Sequence, residues 1–120
     1  MKHAHKTILV ADDDQAILES MQLLLELNDY KVITSSGEDA IALVENHHPD
    51  IVLFDLWLGS ISGKHLCQAL RANPKFSKTP IILVSASNEI RHTYQEYGAS
   101  DFVEKPFDID LLMEKIEALT

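Results

Sequence analysis

The stretch Ile51-Val52-Leu53-Phe54-Asp55 decides the fold of this 120-residue chain. Its four large apolar residues follow one another without a polar break, which is typical of a strand covered on both faces in a parallel sheet. The run ends in a carboxylate, so Asp55 is expected at the carboxyl-terminal edge of the sheet, where open α/β folds bind ligands. A single acid there is most often a loop residue or a helix cap. A functional role for Asp55 is supported only by the polar residues that end the other strands.

Four other segments have the composition of strands, and helical periodicity fills the chain between them. Two are apolar runs of the buried kind, Thr7-Ile8-Leu9-Val10-Ala11 and Ile81-Ile82-Leu83-Val84, and two are shorter, Val32-Ile33-Thr34 and Asp101-Phe102-Val103. A repeated alternation of strand and helix requires a parallel sheet with helices on both faces. We therefore predict an α/β fold of the doubly wound, flavodoxin-like (βα)5 type, with its five strands in the order 2-1-3-4-5.

Capping residues indicate where the helices begin and end. Side-chain N-caps are predicted at four helix starts, at Asp14, Ser36, Ser62 and Asp108. Asp39, three residues after Ser36, would complete a capping box with it. The fourth helix, residues 90–97, is slightly short, and Gly98 follows it where a left-handed C-cap belongs.

Composition limits the classes of function that this chain can have. Hydrophobic residues make up 46% of it, enough for one core, so residues 1–120 are predicted to form a single domain with a core of about 6–119. The formal net charge of −9 opposes binding to nucleic acid. No apolar run reaches membrane-spanning length, and Cys67 is the only cysteine. We expect a protein of the cytoplasm that contacts no membrane.

Polar residues at the strand ends form a constellation. Asp12 and Asp13 end the first strand, Asp55 the third and Ser85 the fourth, and Lys105 follows the fifth. In a parallel sheet these ends share one edge, so three acids, a hydroxyl and an amine should meet there. Clustered carboxylates repel unless cations neutralise them, which predicts a site for Mg²⁺, or for Mn²⁺ in its place. The same groups suit phosphoryl transfer to a carboxylate.

These residues carry a resemblance that covers nearly the whole chain. The chain resembles the receiver domain of bacterial response regulators, the phosphoacceptor half of two-component signalling. The matching motifs are Ile8-Leu9-Val10-Ala11-Asp12-Asp13, Ile51-Val52-Leu53-Phe54-Asp55, Val84-Ser85-Ala86 and Gly98-Ala99-Ser100-Asp101-Phe102-Val103-Glu104-Lys105-Pro106-Phe107. The ordered set at these spacings is highly specific.

The resemblance implies a phosphoacceptor and a metal site. Asp55 would accept the phosphoryl group. Asp13 would hold Mg²⁺ directly and Asp12 mainly through water, with Asp55 and the backbone carbonyl of Trp57 as further ligands. Gly59 departs from the proline usual in the family, and we expect a more mobile loop after Asp55.

The resemblance also implies a switch. Ser85 and Ala86 match the segment that grips the phosphoryl group, Lys105 matches the family's lysine, and the bond to Pro106 matches one that is cis. Phe102 matches the aromatic residue that turns inward when Ser85 moves. The signalling surface would comprise the fourth helix, the fifth strand and the fifth helix.

The partners follow from the same resemblance. A histidine kinase or a histidine phosphotransfer protein would phosphorylate the domain, which would catalyse its own phosphorylation and hydrolysis without being a metabolic enzyme. The recipient of the signal would be a downstream protein or an output domain beyond this sequence, and phosphorylation could produce a homodimer.

Three alternatives stay open. The chain could be a degenerate receiver that binds proteins without phosphorylation. An aspartyl phosphohydrolase would need a second acid where Trp57 stands. A flavin-binding protein would need a phosphate loop where three aspartates, residues 12–14, stand.

Overall fold

Five apolar segments pair into one parallel sheet in the computed structural model, which describes residues 6–120. In that part of the chain the strands are β1 (Thr7–Ala11), β2 (Lys31–Ser35), β3 (Ile51–Asp55), β4 (Trp57–Leu58), β5 (Ile61–Ser62), β6 (Ile81–Ser85) and β7 (Asp101–Glu104). The helices are α1 (Gln15–Leu27), α2 (Ala40–His47), α3 (Gly63–Ala72), α4 (Ile90–Thr93) and α5 (Ile109–Leu119). The sheet order is β2-β1-β3-β6-β7, which confirms the predicted order 2-1-3-4-5 once the small β4–β5 hairpin is set aside.

Helices cover both faces of the sheet, so its central strands are buried throughout. Every residue of β3 and β6 is buried. Successive residues of a strand face opposite sides. Ile8 and Val10 accordingly pack in the layer formed with α1 and α5, whereas Leu9 and Ala11 pack in the layer formed with α2, α3 and α4. This two-layer burial explains the unbroken apolar runs in the sequence.

Three of the four predicted N-caps are confirmed. The side chain of Asp14 accepts hydrogen bonds from the backbone N–H groups of α1's first turn, and Ser62 and Asp108 do the same for α3 and α5. The prediction for Ser36 is wrong, because α2 begins only at Ala40. The chain turns first at Gly37, whose φ is +121°, so Asp39 rather than Ser36 directly precedes the helix, and it makes no side-chain cap bond.

The chain after α4 is closed by hydrogen bonds around Gly98. After α4, Ala99 N–H donates to the Tyr94 carbonyl at 2.9 Å and Gly98 N–H donates to the Gln95 carbonyl at 3.0 Å. With Gly98 at φ +96°, these bonds define a Schellman C-cap, as the sequence predicted. The regular part of α4 is shorter than the predicted 90–97, because residues 94–97 form successive turns.

The predicted loop after Asp55 contains a hairpin instead. Trp57 pairs with Ser62 and Leu58 with Ile61, so the two residues between form the turn. Gly59, the first of them, has φ +69° and Ser60 does not have a positive φ, which is the pattern of a type II′ turn. Gly59 thus provides the positive φ that this tight turn requires.

Arg71, in the last turn of α3, ties together the loops at the amino-terminal edge of the sheet. Its guanidinium donates to the backbone carbonyls of Gly98 at 2.8 Å, Thr79 at 2.8 Å and Phe76 at 3.2 Å. These carbonyls belong to the loops before β6 and β7. One side chain therefore fixes where both strands start. Within residues 6–120, no helix combines the length and apolar character needed to cross a membrane.

Candidate phosphoacceptor and metal site

Three acids meet at the carboxyl-terminal edge of the sheet. Asp55 is the last residue of β3, and Asp12 and Asp13 follow β1, its neighbour in the sheet. One carboxylate oxygen from each of the three lies within 4.8 Å of the others. Asp12 and Asp55 are buried, with exposed fractions of 4% and 9%, whereas Asp13 is exposed. Hard oxygen ligands in a site that is partly buried and partly exposed to solvent are typical of a Mg²⁺ or Mn²⁺ site.

Lys105 lies between the two buried acids. Its Nζ is 2.6 Å from Asp55 Oδ2 and 3.2 Å from Asp12 Oδ2. The backbone N–H of Lys105 donates to the Ser85 carbonyl at 2.8 Å, and the Lys105–Pro106 peptide bond is cis. The lysine therefore reaches the acids from the end of β7, across the end of β6.

Burial and charge act on the pKa values of this group in opposite directions. Burial raises the pKa of Asp12, and the nearby charge of Asp55 raises it further, against the hydrogen bonds from Asp14 N–H and Lys105. Burial on its own would lower the pKa of the Lys105 ammonium, but the hydrogen bonds and charges of Asp55 and Asp12 outweigh it and raise that pKa. The ammonium is thus held firmly in its charged form, and one cation serves two carboxylates.

The hairpin determines what the backbone of Trp57 can bind. Trp57 N–H donates to Asp55 Oδ1 at 3.1 Å. Gly63 N–H donates to the Leu56 carbonyl at 2.8 Å, which makes the adjacent Trp57–Ser62 pair a non-hydrogen-bonded pair of the ladder. The hydrogen bonds between β4 and β5 consequently do not involve the Trp57 carbonyl, so this oxygen can act as a metal ligand. The indole side chain is 66% exposed.

Ser85 and Ala86 lie beside the acids at the end of β6. Ser85 is buried, and its Oγ accepts a hydrogen bond from Ser87 N–H at 3.1 Å. This contact is a local turn bond rather than a helix cap, since α4 begins only at Ile90, and it leaves the hydroxyl hydrogen for another acceptor. Ala86 is exposed and, together with Lys105, lines a neighbouring cavity beside α1 that does not include the three acids.

Phe102 is placed away from the acids, on the outer side of β7. It is half-buried, and its ring centre is 4.9 Å from that of Tyr94. Lys115 Nζ lies 4.5 Å from the same ring centre and donates to Asp101 Oδ1 at 3.1 Å. The predicted switch residue therefore contacts Tyr94, the residue that follows α4, and Lys115 of α5 rather than the site itself.

Comparison with known proteins agrees with this geometry. Residues 8–117 match the response regulator receiver domain family. The chain belongs to that family. The response regulator ArlR of Staphylococcus aureus is 34% identical to this receiver domain over an alignment 118 residues long. The alignment covers 93% of this chain and 51% of that protein. The chain thus spans about half the length of the curated relatives it matches.

Solved structures show the same fold. A response regulator from Chloroflexus aurantiacus superposes with a TM-score of 0.88 at 29% identity, covering 95% of this chain and 96% of the other. The response regulator TrrA of Thermotoga maritima, in complex with Mg²⁺-BeF, superposes with a TM-score of 0.87 at 31% identity, covering 96% and 99%. This receiver domain therefore has the doubly wound, flavodoxin-like architecture that its sequence predicted.

One close contact at the site was not expected from the sequence. Gly63, the first residue of α3, lies so near the backbone of Asp55 that a Cβ atom on it would overlap the Asp55 carbonyl oxygen. A glycine in the first turn of a helix, eight residues after the acid, is the signal that could have indicated it. Glycine is unfavourable in a helix, so its presence there suggests a close approach.

Proposed function

We propose that this receiver domain accepts a phosphoryl group on Asp55 in a Mg²⁺-dependent reaction. The donor would be a histidine kinase or a histidine phosphotransfer protein. The observation that carries the proposal is the contact of Lys105 with both buried acids, beside a third acid within 4.8 Å. That arrangement supplies an acceptor oxygen, a fixed cation and oxygen ligands at one edge of the sheet.

The chemistry follows from these groups. A carboxylate oxygen of Asp55 attacks the phosphorus atom of a phosphohistidine, the P–N bond breaks, and the imidazole leaves. Asp12, Asp13, Asp55 and the Trp57 carbonyl would hold Mg²⁺, which when bound neutralises charge on the phosphoryl oxygens. Lys105, the other cation, would pair with one of those oxygens. Hydrolysis of the acyl phosphate returns Asp55 to a carboxylate, so the domain turns over its own modification.

The signal would leave through the face formed by α4, β7 and α5. Ser85 would donate its hydroxyl hydrogen to the phosphoryl group, and Ala86 would move with it. Phe102, packed between Tyr94 and Lys115, would then turn inward. Its present contacts would be one of the two states that such a switch needs.

Partners and location belong to the same proposal. Residues 1–120 would act as one receiver domain, signalling to a downstream protein or to an output domain, and phosphorylation would favour a homodimer. The length of the curated relatives, about twice this chain, supports an output domain. The protein would act in the cytoplasm, and the single, buried thiol of Cys67 fits a reducing compartment.

Acetyl phosphate tests the phosphoacceptor role directly. The protein is incubated with acetyl phosphate and Mg²⁺, and the intact mass and Trp57 fluorescence are recorded. We expect the mass of one phosphoryl group and a fluorescence change, both lost with EDTA and both absent in Asp55→Asn. Asp13→Asn is expected to bind Mg²⁺ weakly. A wild-type protein without a mass gain would instead support a degenerate receiver that binds proteins without phosphorylation.

A further inference from the structure

The start of α3 packs directly on the backbone of the phosphoacceptor. A Cβ atom on Gly63 would overlap the Asp55 carbonyl oxygen and lie 3.0 Å from the Cα of Leu56. These neighbours are backbone atoms of a buried strand end, so they cannot rotate away as the tip of a side chain could. The φ of Gly63 is not positive, so the position requires a missing side chain rather than conformational freedom.

The peptide unit that Gly63 touches is held on its other side by the sheet. Leu56 N–H donates to the Val84 carbonyl of β6 at 2.9 Å, and the Leu56 carbonyl accepts from Gly63 N–H at 2.8 Å. The residues between are closed into the β4–β5 hairpin, whose Leu58 is buried in the core. The backbone after Asp55 is therefore fixed from three directions.

The carboxylate of Asp55 depends on the same unit. Trp57 N–H, in the hairpin, donates to Asp55 Oδ1, while Lys105 holds Oδ2. Moving the peptide that joins Asp55 to Leu56 would rotate the first of these bonds and redirect the carboxylate. The Trp57 carbonyl, a candidate metal ligand, would move with it.

We propose that Gly63 is a positioning residue, which lets α3 press on the Asp55 backbone and so fixes the direction of the reacting carboxylate. The inference rests on the proposed function of Asp55. A side chain at this position would push apart the helix start and the strand end. Reactions that depend on alignment are sensitive to such shifts, and a misplacement of about 1 Å can cost roughly a hundredfold in rate.

The test compares two glycine-to-alanine variants. In Gly98→Ala, at the opposite edge of the sheet, the new Cβ would lie 2.9 Å from Arg71 Cγ at a φ of +96°, so that variant also loses stability. Mg²⁺ affinity is measured by calorimetry, and the rate of phosphorylation by acetyl phosphate is measured at saturating Mg²⁺. Gly63→Ala should lower the rate at least about tenfold and weaken Mg²⁺ binding. Gly98→Ala should leave both within about twofold of wild type.

The experiment distinguishes a failure of the positioning role of Gly63 from a failure of the proposed function of Asp55. Gly63→Ala with wild-type rate and Mg²⁺ affinity would overturn the positioning role. If Gly63→Ala does not fold, Leu58→Ala loosens the hairpin without a clash and should still weaken Mg²⁺ binding; unchanged affinity there would overturn the inference too. A wild-type protein that binds Mg²⁺ but gains no phosphoryl group would refute the function of Asp55, while the Mg²⁺ affinities would still decide the role of Gly63.

Discussion

Lys105 at the carboxyl-terminal edge of the sheet is held by two carboxylates, whereas Arg71 at the amino-terminal edge is held by backbone carbonyls. The partners of Lys105 are charges, which another cation can also satisfy. The partners of Arg71 are neutral dipoles at fixed positions, which match the rigid fork of a guanidinium. A cation paired with charges at one edge of the fold can therefore be replaced by another cation, whereas a cation paired with fixed dipoles at the other edge acts as a permanent structural tie.

The largest effect is expected at the arginine. Arg71→Met leaves the carbonyls of Gly98, Thr79 and Phe76 without this donor, which should cost about 3 kcal/mol of unfolding free energy, since a buried acceptor left unsatisfied costs roughly 1–3 kcal/mol. Urea denaturation measures the loss. Arg71→Lys, with a single ammonium, should recover only part of it.

The comparison predicts that Arg71→Met still responds to Mg²⁺ as the wild type does when both are folded. Thermal unfolding with and without Mg²⁺ provides the measurement. A variant that folds but no longer binds Mg²⁺ would show that the two edges are coupled, and the contrast drawn above would fail.

A smaller effect is expected at the lysine. Lys105→Met leaves Asp12 and Asp55 as uncompensated neighbours, which should cost about 2 kcal/mol in the absence of metal, less than a fully buried broken pair because the site is partly open. Mg²⁺ should then stabilise this variant more than the wild type, because it supplies the missing charge.

The control for this variant is Lys115→Met, which removes another ion-paired lysine, on the far side of β7. Its Mg²⁺-induced stabilisation should equal that of the wild type. If Lys105→Met gained no additional stabilisation from Mg²⁺, Lys105 would not be a substitute for a metal charge.

The smallest effect concerns Cys67, one helical turn before Arg71 in α3. Burial raises the pKa of its thiol from 9.0 to about 12. Above pH 9 the unfolded chain loses this proton while the folded protein keeps it, so the contribution to stability is complete below pH 9 and is lost as the pH rises toward 12. Between pH 8 and 10 the stability advantage of wild type over Cys67→Ala should shrink by about 1.4 kcal/mol. An advantage independent of pH would contradict the shift.

Much of the fold and of the site follows from the sequence. The buried runs and the helical periodicity predicted the sheet order, because a covered parallel strand must be apolar on both faces. Parallel strands share their ends, so Asp12, Asp55 and Lys105 could be placed together without knowing any distance. The caps at Asp14 and Gly98 were predictable because each satisfies a local backbone group.

The features that the sequence did not predict have separate physical causes. Strands of two residues are too short to show an alternation of apolar and polar residues, so the sequence predicted a loop where the β4–β5 hairpin lies. Arg71 binds backbone carbonyls, which every residue has, so no pattern of side chains in the sequence indicates this contact. The contact of Gly63 with Asp55 is a tertiary approach, and Ser36 failed as a cap because the turn at Gly37 delayed the helix.

The contacts of Arg71 with backbone carbonyls also affect which substitutions the loops at this edge can accept during evolution. Phe76 and Thr79 offer their backbone oxygens whatever side chain stands there, so the bonds to Arg71 place no demand on those side chains. Phe76 is restricted only by its own packing in the core, whereas Thr79 can vary. Gly98 is the exception, because a side chain there would meet the arginine itself. The acids at the other edge have no such freedom. The amino-terminal loops should therefore diverge in sequence among descendants of this gene while keeping their shape.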